Sequence, residues 1–366
     1  MNTRQSAERE ALRARILQLI ATGADGTRDD ARRDALLADL HDYQLRWVTP
    51  YAHFSAQTRA ANGAMRALPC DAFRFARISS RAPDDDVRRF HSSGTTQDTR
   101  SEHAFADLGL YDAAAQAAAR HMLFPDRERM QLLIFAPSEQ ELPDSSLSYM
   151  LARFRAWFGT DDSAYVWPID QARSEHLIRC VAQAREEERP LALLGTSFAF
   201  VHLLDALNTR KLALPPDSRI MQTGGFKGRS RELSPAAMRT ALSDAFDVPA
   251  AQIVAEYGMT ELSSQLYETS LRTTLLGSSA LTGRLWAPPW LRVSVVDPER
   301  LTPLPEGQEG LVRLDDAANL DSVCALQTAD LGVIESGALI LHGRAQGAVA
   351  RGCSITADEL LSRGPR

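Results

Sequence analysis

Ile253-Val254-Ala255-Glu256-Tyr257-Gly258-Met259-Thr260-Glu261 is the stretch that decides how this chain is read. It opens as a short apolar run of strand type. It then breaks at a glycine and presents a hydroxyl and a carboxylate. A tyrosine at a strand end can stack on a flat ring, and Gly258 allows the turn. Thr260 can donate to a phosphate, and Glu261 can hold Mg²⁺, a hard cation that prefers oxygen ligands and phosphate company. Upstream, apolar runs alternate with helical patterns. Strands are expected at Leu132–Phe135, Ala164–Trp167, Leu191–Leu194, Ile220–Gln222 and Ile253–Glu256, with helices at 146–158, 173–187, 197–208 and 235–246. That alternation predicts βαβ units and a largely parallel sheet. Ligands of such sheets sit beyond the carboxyl ends of the strands. Gly195-Thr196, Thr223-Gly224-Gly225 and Tyr257-Gly258 each follow an expected strand, so three segments would face one cleft.

Outside this region the texture differs. Leu12, Ile16, Leu19 and Ile20 fall at helical spacing, as do Leu36, Leu37, Leu40 and Leu45, with Thr27, Asp29 and Asp30 available as caps. After Leu281 come short strand-like runs broken by Gly, Pro and Asp: Leu291–Val296, Gly310–Leu314, Val323–Leu326, Leu331–Ile334 and Ala338–Leu341. The expected organisation is a helical segment over 1–80, an α/β core over 81–280, and a small β-rich subdomain with a short tail over 281–366. The 366 residues carry a net charge of −6, which gives no basic excess to attract nucleic acid. No stretch approaches the roughly 20 apolar residues of a membrane span, and Met1 to Glu10 lacks the apolar core of a secretory signal. Cys70, Cys180, Cys324 and Cys353 are too scattered for a zinc or redox pair. A reducing cytoplasm is the expected setting.

Four further segments could carry chemistry. His91-Ser92-Ser93-Gly94-Thr95-Thr96 surrounds a glycine with hydroxyls, as a phosphate cradle or a plain loop would. It lacks the Walker spacing. Arg100 could meet phosphate charge, while His103 could orient the loop or be structural. Gly224 and Gly225 could let a flat ligand lie on bare backbone or could simply form a tight turn. Lys227 and Arg229 bring positive charge to the same edge, or only solvate it. Lys211 and Lys227 are the only lysines. Asp330, in Thr328-Ala329-Asp330-Leu331-Gly332, could accept both hydroxyls of a ribose, with Arg344 on its other side, or each could be a plain turn residue. Cys353, beside Gly352 and Arg351, could be a nucleophilic thiol or an inert one.

In this order the segments resemble the adenylate-forming superfamily of acyl- and aryl-activating enzymes. Within it the chain is similar to the acyl-protein synthetase (LuxE-type) family over about residues 90–360. The resemblance implies an α/β fold: a large adenylate-forming N-terminal-type domain with parallel sheets flanked by helices, plus a small β-rich C-terminal subdomain. It also implies two steps. A fatty acid and MgATP give an acyl-adenylate, and the acyl group passes to a cysteine near the C-terminus and onward to a reductase or carrier partner. By position, Ser92, Ser93, Gly94, Thr95 and Thr96 would cradle phosphates, supported by Arg100 and His103. Gly224, Gly225 and Tyr257 would frame adenine, with Glu256, Gly258 and Met259 also in the cofactor site. Thr260 and Glu261 would serve phosphate and Mg²⁺, Asp330 the ribose, and Cys353 the acyl group.

Three departures stand out. Gln97-Asp98 continues the phosphate loop where relatives place glycine, and Thr-Ala-Asp replaces Thr-Gly-Asp. Larger superfamily members carry a mobile lid domain with a catalytic lysine. Here 22 residues follow Arg344 and none is lysine. The lid is expected to be absent or truncated, with Lys227, Arg229 or Arg344 supplying the charge. Phe198, Phe200 and Leu203, with Ser263-Ser264-Gln265, are candidate walls for the acid. Two alternatives accompany this reading. One is an acyl or aryl ligase whose acceptor is coenzyme A, a carrier protein or an amine. The other is a subunit that binds nucleotide without turnover.

Overall fold

The structure, a computed structural model, describes residues 3–57, 65–93, 100–208, 210–224, 233–278 and 281–345. Three helices come first: α1 (Thr3–Gly23), α2 (Asp30–Trp47) and α3 (Thr49–Gln57). Asp29 caps α2, its carboxylate accepting from the Arg32 N–H. The short strand β1 (Leu68–Pro69) follows, then a hairpin of β2 (Arg88–His91) and β3 (Glu102–Phe105), and then α4 (Gly109–Met122). The expected βαβ region contains β4 (Gln131–Phe135), α5 (Ser146–Phe158), β5 (Ala164–Tyr165), α6 (Gln171–Glu186), β6 (Leu191–Thr196), α7 (Ser197–Leu207), β7 (Arg219–Thr223), α8 (Pro235–Phe246) and β8 (Ile253–Tyr257). Each of these helices starts where a side-chain oxygen can satisfy a free N–H: Ser145, Asp170, Thr196 and Ser234 cap α5, α6, α7 and α8. The chain continues through β9 (Leu266–Glu268), α9 (Ser270–Leu275), β10 (Leu285–Trp286), β11 (Leu291–Val296), β12 (Gly310–Asp316), β13 (Ala325–Glu335) and β14 (Ala338–Arg344).

Among the described residues, twelve of these strands form one sheet in the order β11-β12-β13-β14-β10-β9-β8-β7-β6-β4-β5, with β1 added alongside β13. The half from β8 to β5 is parallel, and the pairs from β9 through β14 are antiparallel. The parallel strands are apolar on both faces, as helices on both sides require. Their period of two divides the core. Leu132, Ile134, Ala192, Leu194, Met221 and Val254 face a cluster shared with α1, α2, α4 and α5. Leu133, Phe135, Leu191, Leu193, Ile220 and Ile253 face α6, α7 and α8. A third cluster joins α3 and β1 to the antiparallel half through Tyr51, Phe54, Leu68, Leu291, Val312 and Leu326.

The expected helices and parallel strands are present, and so are the antiparallel strands after Leu281, which continue the same sheet. One difference has a clear cause. Two short strands were expected on either side of Thr328-Ala329-Asp330. Instead β13 runs through it for 11 residues. It is paired with β12 on one side and β14 on the other, and the Thr328 hydroxyl donates to the Val312 carbonyl at 2.8 Å. Ladder bonds on both edges hold extended a segment whose composition suggests a turn. The β2–β3 hairpin and α4 were not among the expected elements.

Candidate active site

The carboxyl ends of β6, β7 and β8 lie side by side, with Thr196 opposite Thr223 and Thr223 opposite Glu256. Gly224, just past β7, has φ +70°, and among the described residues, its chain neighbours aside, no atom lies within 4 Å of where a Cβ would sit. The Ser197 hydroxyl fastens the Gly224 carbonyl at 2.9 Å.

Beyond β8 the motif turns away from the sheet. Glu256 points inward rather than to the cleft. It is buried and accepts the Thr223 hydroxyl proton, and burial pushes its carboxyl up to about 7. Gly258 is sterically required, since a Cβ there would sit 2.6 Å from Glu256 Oε1. Met259 places its sulfur 3.7 Å from the Cys70 thiol. The Tyr257 hydroxyl donates to Asp330 Oδ2 at 2.7 Å, joining two motifs 73 residues apart. One oxygen of the carboxylate expected to take both ribose hydroxyls is therefore already bonded. Asp330 pairs across the ladder with Arg344, whose Nε lies 3.9 Å from Asp330 Oδ1 while the rest of its side chain is exposed.

Glu261 is buried, and burial raises its carboxyl above the usual range. A Ser101 hydrogen bond and the charge of Arg344 oppose that rise, while Asp71 adds to it. Among the described residues no group of three or more His, Cys, Asp or Glu gathers as an all-protein metal cage. Mg²⁺ usually takes one or two carboxylates and completes its shell with substrate phosphates and water. A single buried carboxyl, Glu261, is compatible with that pattern.

Ser92 and Ser101 close the stem of the β2–β3 hairpin. The Ser92 N–H donates to the Ser101 carbonyl at 3.0 Å, and the Ser101 N–H donates to Ser92 Oγ at 2.9 Å. Arg100 is committed here: it donates to the Ser92 carbonyl and pairs with Asp144 at 2.9 Å. Its charge braces the stem in this structure, where the sequence suggested a phosphate ligand. His103 is buried between the Thr260 carbonyl, 2.9 Å from Nδ1, and the Ser322 hydroxyl, 3.0 Å from Nε2. Ser93 is exposed at the mouth of the loop. Gly94, Thr95, Thr96, Gly225, Lys227, Arg229 and Cys353 lie outside the described residues.

The hairpin stem, the motif after β8 and Asp330 are thus linked by direct contacts: Ser101 to Glu261, His103 to Thr260, and Tyr257 to Asp330. Of the candidate walls, Phe200 and Leu203 are core, buried in the layer under α7, and Phe200 packs on Phe135 at 5.2 Å. Phe198 lies against Trp167 and His202. Ser264 is held by Asp316 and Trp290, whereas Ser263 Oγ and Gln265 Oε1 are buried without a partner among the described residues. Sequence reasoning missed Cys70, Asp71, Ser101's contact with Glu261, and Asn319, whose side chain donates to the Glu261 carbonyl at 2.9 Å. Cys70 and Asp71 arrive through the pairing of β1 with β13, which no local pattern announces.

Residues 28–362 match the family described as acyl-protein synthetase, LuxE. A long-chain-fatty-acid–luciferin-component ligase of Aliivibrio fischeri is 20% identical over 275 residues, which is 73% of this chain and 68% of that one. Among solved structures, a 2-hydroxyisobutyryl-CoA ligase, caught open with 2-HIB-AMP and CoA, superposes with a TM-score of 0.61 at 14% identity. That match covers 86% of this chain and 70% of the other. ATP-bound MatB from Rhodopseudomonas palustris matches 72% of this chain at 17% identity with a TM-score of 0.48. The chain spans about half the length of MatB, 49% of it. No helix among the described residues is long and apolar enough to cross a membrane. With the family match running over residues 28–362, the chain belongs to the acyl-protein synthetase family, LuxE.

Proposed function

We propose that the protein activates a carboxylic acid with ATP, forming an acyl-adenylate and pyrophosphate, and then passes the acyl group to a protein cysteine or carrier. One observation carries the reading: the Tyr257–Asp330 hydrogen bond brings the two motifs expected to hold adenine and ribose to one place. Gly224 follows the neighbouring strand β7, a few ångströms across the parallel ladder from β8. Family membership supports the reaction class, and the A. fischeri relative, by its name a long-chain fatty-acid ligase, favours a fatty acid.

In the first step a carboxylate oxygen of the acid bonds to the α-phosphorus of ATP. The bond from that phosphorus to the bridging oxygen breaks, and pyrophosphate leaves with the electron pair. Catalysis is then largely positioning and charge stabilisation. Asp330 keeps one carboxylate oxygen free of Tyr257 to accept from ribose. Thr260 donates to phosphate oxygens. Glu261 would hold Mg²⁺ together with the phosphates, and the ion, when bound, offsets the charge that develops on them. In the second step a thiolate attacks the acyl carbon and AMP departs. The mixed anhydride must be shielded from water until then.

The test is acid-dependent exchange of labelled pyrophosphate into ATP, screened over fatty and aromatic acids with hydroxylamine trapping. Wild type should respond to at least one acid, and Glu261→Ala should lose 100-fold or more, on the order of removing one transition-state contact. Exchange with no acid at all would remove the activity and leave a nucleotide-binding protein. For the acceptor, labelled acyl protein should be lost in Cys353→Ser. A label that persists there assigns the acyl group elsewhere.

A further inference from the structure

We propose that His103 and Asn319 are positioning residues, which together hold Thr260 and Glu261 against the stem of the β2–β3 hairpin. This rests on the reading above, in which Thr260 and Glu261 serve the phosphates. The starting observation is that residues 258–265 have no strand partner. β8 ends at Tyr257 and β9 begins at Leu266, and one backbone bond, from the Leu262 N–H to the Met259 carbonyl at 3.1 Å, shapes the turn between them. Buried backbone groups must be bonded somewhere. Here distant side chains bond them. His103 Nδ1 meets the Thr260 carbonyl at 2.9 Å, and Asn319 Nδ2 donates to the Glu261 carbonyl at 2.9 Å. Asp316 Oδ2 accepts from Ser263 N at 3.1 Å and from Ser264 N at 2.9 Å.

The tautomer follows from the partner. A carbonyl can only accept, so Nδ1 carries the proton and Nε2 accepts from the Ser322 hydroxyl. Burial keeps the ring neutral, with its pKa pushed down to about 4. The direction of the grip is the informative part. Ser101 and His103 are two residues apart on the extended chain entering β3, so they point to the same face. Ser101 bonds the Glu261 carboxyl and His103 bonds the Thr260 backbone. The strand leaving the phosphate loop therefore touches the motif at two points, one on a functional side chain and one on the backbone beside it. That arrangement fixes the hairpin stem against the motif, which a single packing contact would not do.

The other hand of the clamp is anchored from far away in sequence. Gln44 of α2 donates to the Asn319 carbonyl at 2.7 Å and accepts from the Cys324 N–H at 2.9 Å. Arg9 of α1 makes a two-pronged bond to Asp321 at 2.8 and 2.6 Å. The first two helices thus hold the 316–324 loop in place, and that loop supplies Asn319 and Ser322 to the motif.

The test uses His103→Leu, His103→Gln and Asn319→Asp in the full chain. MgATP binding is measured by calorimetry, pyrophosphate exchange by its separate KM and kcat values, and folding by urea unfolding. His103→Leu keeps the bulk and removes the donor. It should weaken MgATP binding and raise the KM for ATP about tenfold, the size of one hydrogen bond, with the KM for the acid unchanged. His103→Gln restores a donor and should recover part of the loss. Asn319→Asp removes the donor at the second point and should act in the same direction. Combined with Glu261→Gln, neither should add its full effect. A folded His103→Leu with wild-type MgATP affinity and exchange constants would overturn the proposal. If that variant does not fold, wild-type constants in folded Asn319→Asp would overturn it equally. A wild type that binds MgATP but exchanges no pyrophosphate would sink the activity reading alone, and the binding arm would still decide the clamp. A wild type that binds no MgATP would end both.

Discussion

At the residue scale the site is a set of side chains already bonded to one another. Asp330 looked in sequence like a free carboxylate awaiting a ribose. The Tyr257 hydroxyl occupies Oδ2, so the phenol fixes the orientation of the acid it was expected only to accompany. Tyr257→Phe should keep the ring surface and lose that orientation. The expected result is a rise in the KM for ATP of severalfold to about tenfold, equivalent to roughly 1 kcal/mol, with a smaller change in kcat, read from exchange kinetics. Gly258 illustrates the opposite case, in which a residue is dictated by what lies beside it. Gly258→Ala would drive a methyl to 2.6 Å from Glu256 Oε1 in a buried setting. It should lower stability by about 1–3 kcal/mol in urea unfolding and depress exchange with it. Neither neighbour was legible from residue types alone. Asp330 and Glu256 were visible as chemistry, while their partners came from other strands.

At the element scale, the helices of the parallel half were legible from their alternation with apolar runs, and the structure shows a cap at the start of each. Ser145, Ser234 and Thr196 stand where a hydroxyl satisfies the first free N–H groups, and the structure starts α5, α8 and α7 there. Thr196→Ala should cost α7 about 1 kcal/mol, seen as an earlier urea midpoint with an unchanged slope. The same change leaves Ser197 in place, so its bond to the Gly224 carbonyl should survive and nucleotide binding should change little. Elements without local signals were harder to find. β2 and β3 are four residues each, too short for a period to declare itself, and they are held by each other and by Asp144 on the 138–145 loop. β13 was divided in two by composition, and its neighbours on both sides joined it.

At the scale of the whole molecule, buried titratable groups pull stability in opposite directions with pH. His103 is neutral in the fold, with a pKa of about 4 against 6.5 unfolded, so its contribution is present above pH 6.5 and lost as pH falls toward 4. Glu256 is held protonated, with a pKa of about 7 against 4.5, so its contribution is present below pH 4.5 and lost as pH rises through 7. Replacing each with glutamine should give slopes of opposite sign. Relative to wild type, His103→Gln should gain stability as pH drops from 6.5 to 4, and Glu256→Gln should gain as pH rises from 4.5 past 7. Each swing is bounded at about 3 kcal/mol and measurable by urea unfolding at pH 5 and pH 8. Equal slopes in wild type and variants would show that these groups are not held as the structure places them. From residues alone came the alternation of strand and helix and the parallel sheet. Those depend on periodicity, caps and glycines, which act within a few residues. Three things needed the folded chain: that Arg100 braces a stem, that Phe200 and Leu203 are core, and that Asn319, Asp316 and His103 hold the backbone of the motif. The reason is physical. A buried carbonyl or N–H takes whichever partner tertiary packing brings within about 3 Å, and sequence spacing carries no record of a contact made across the sheet.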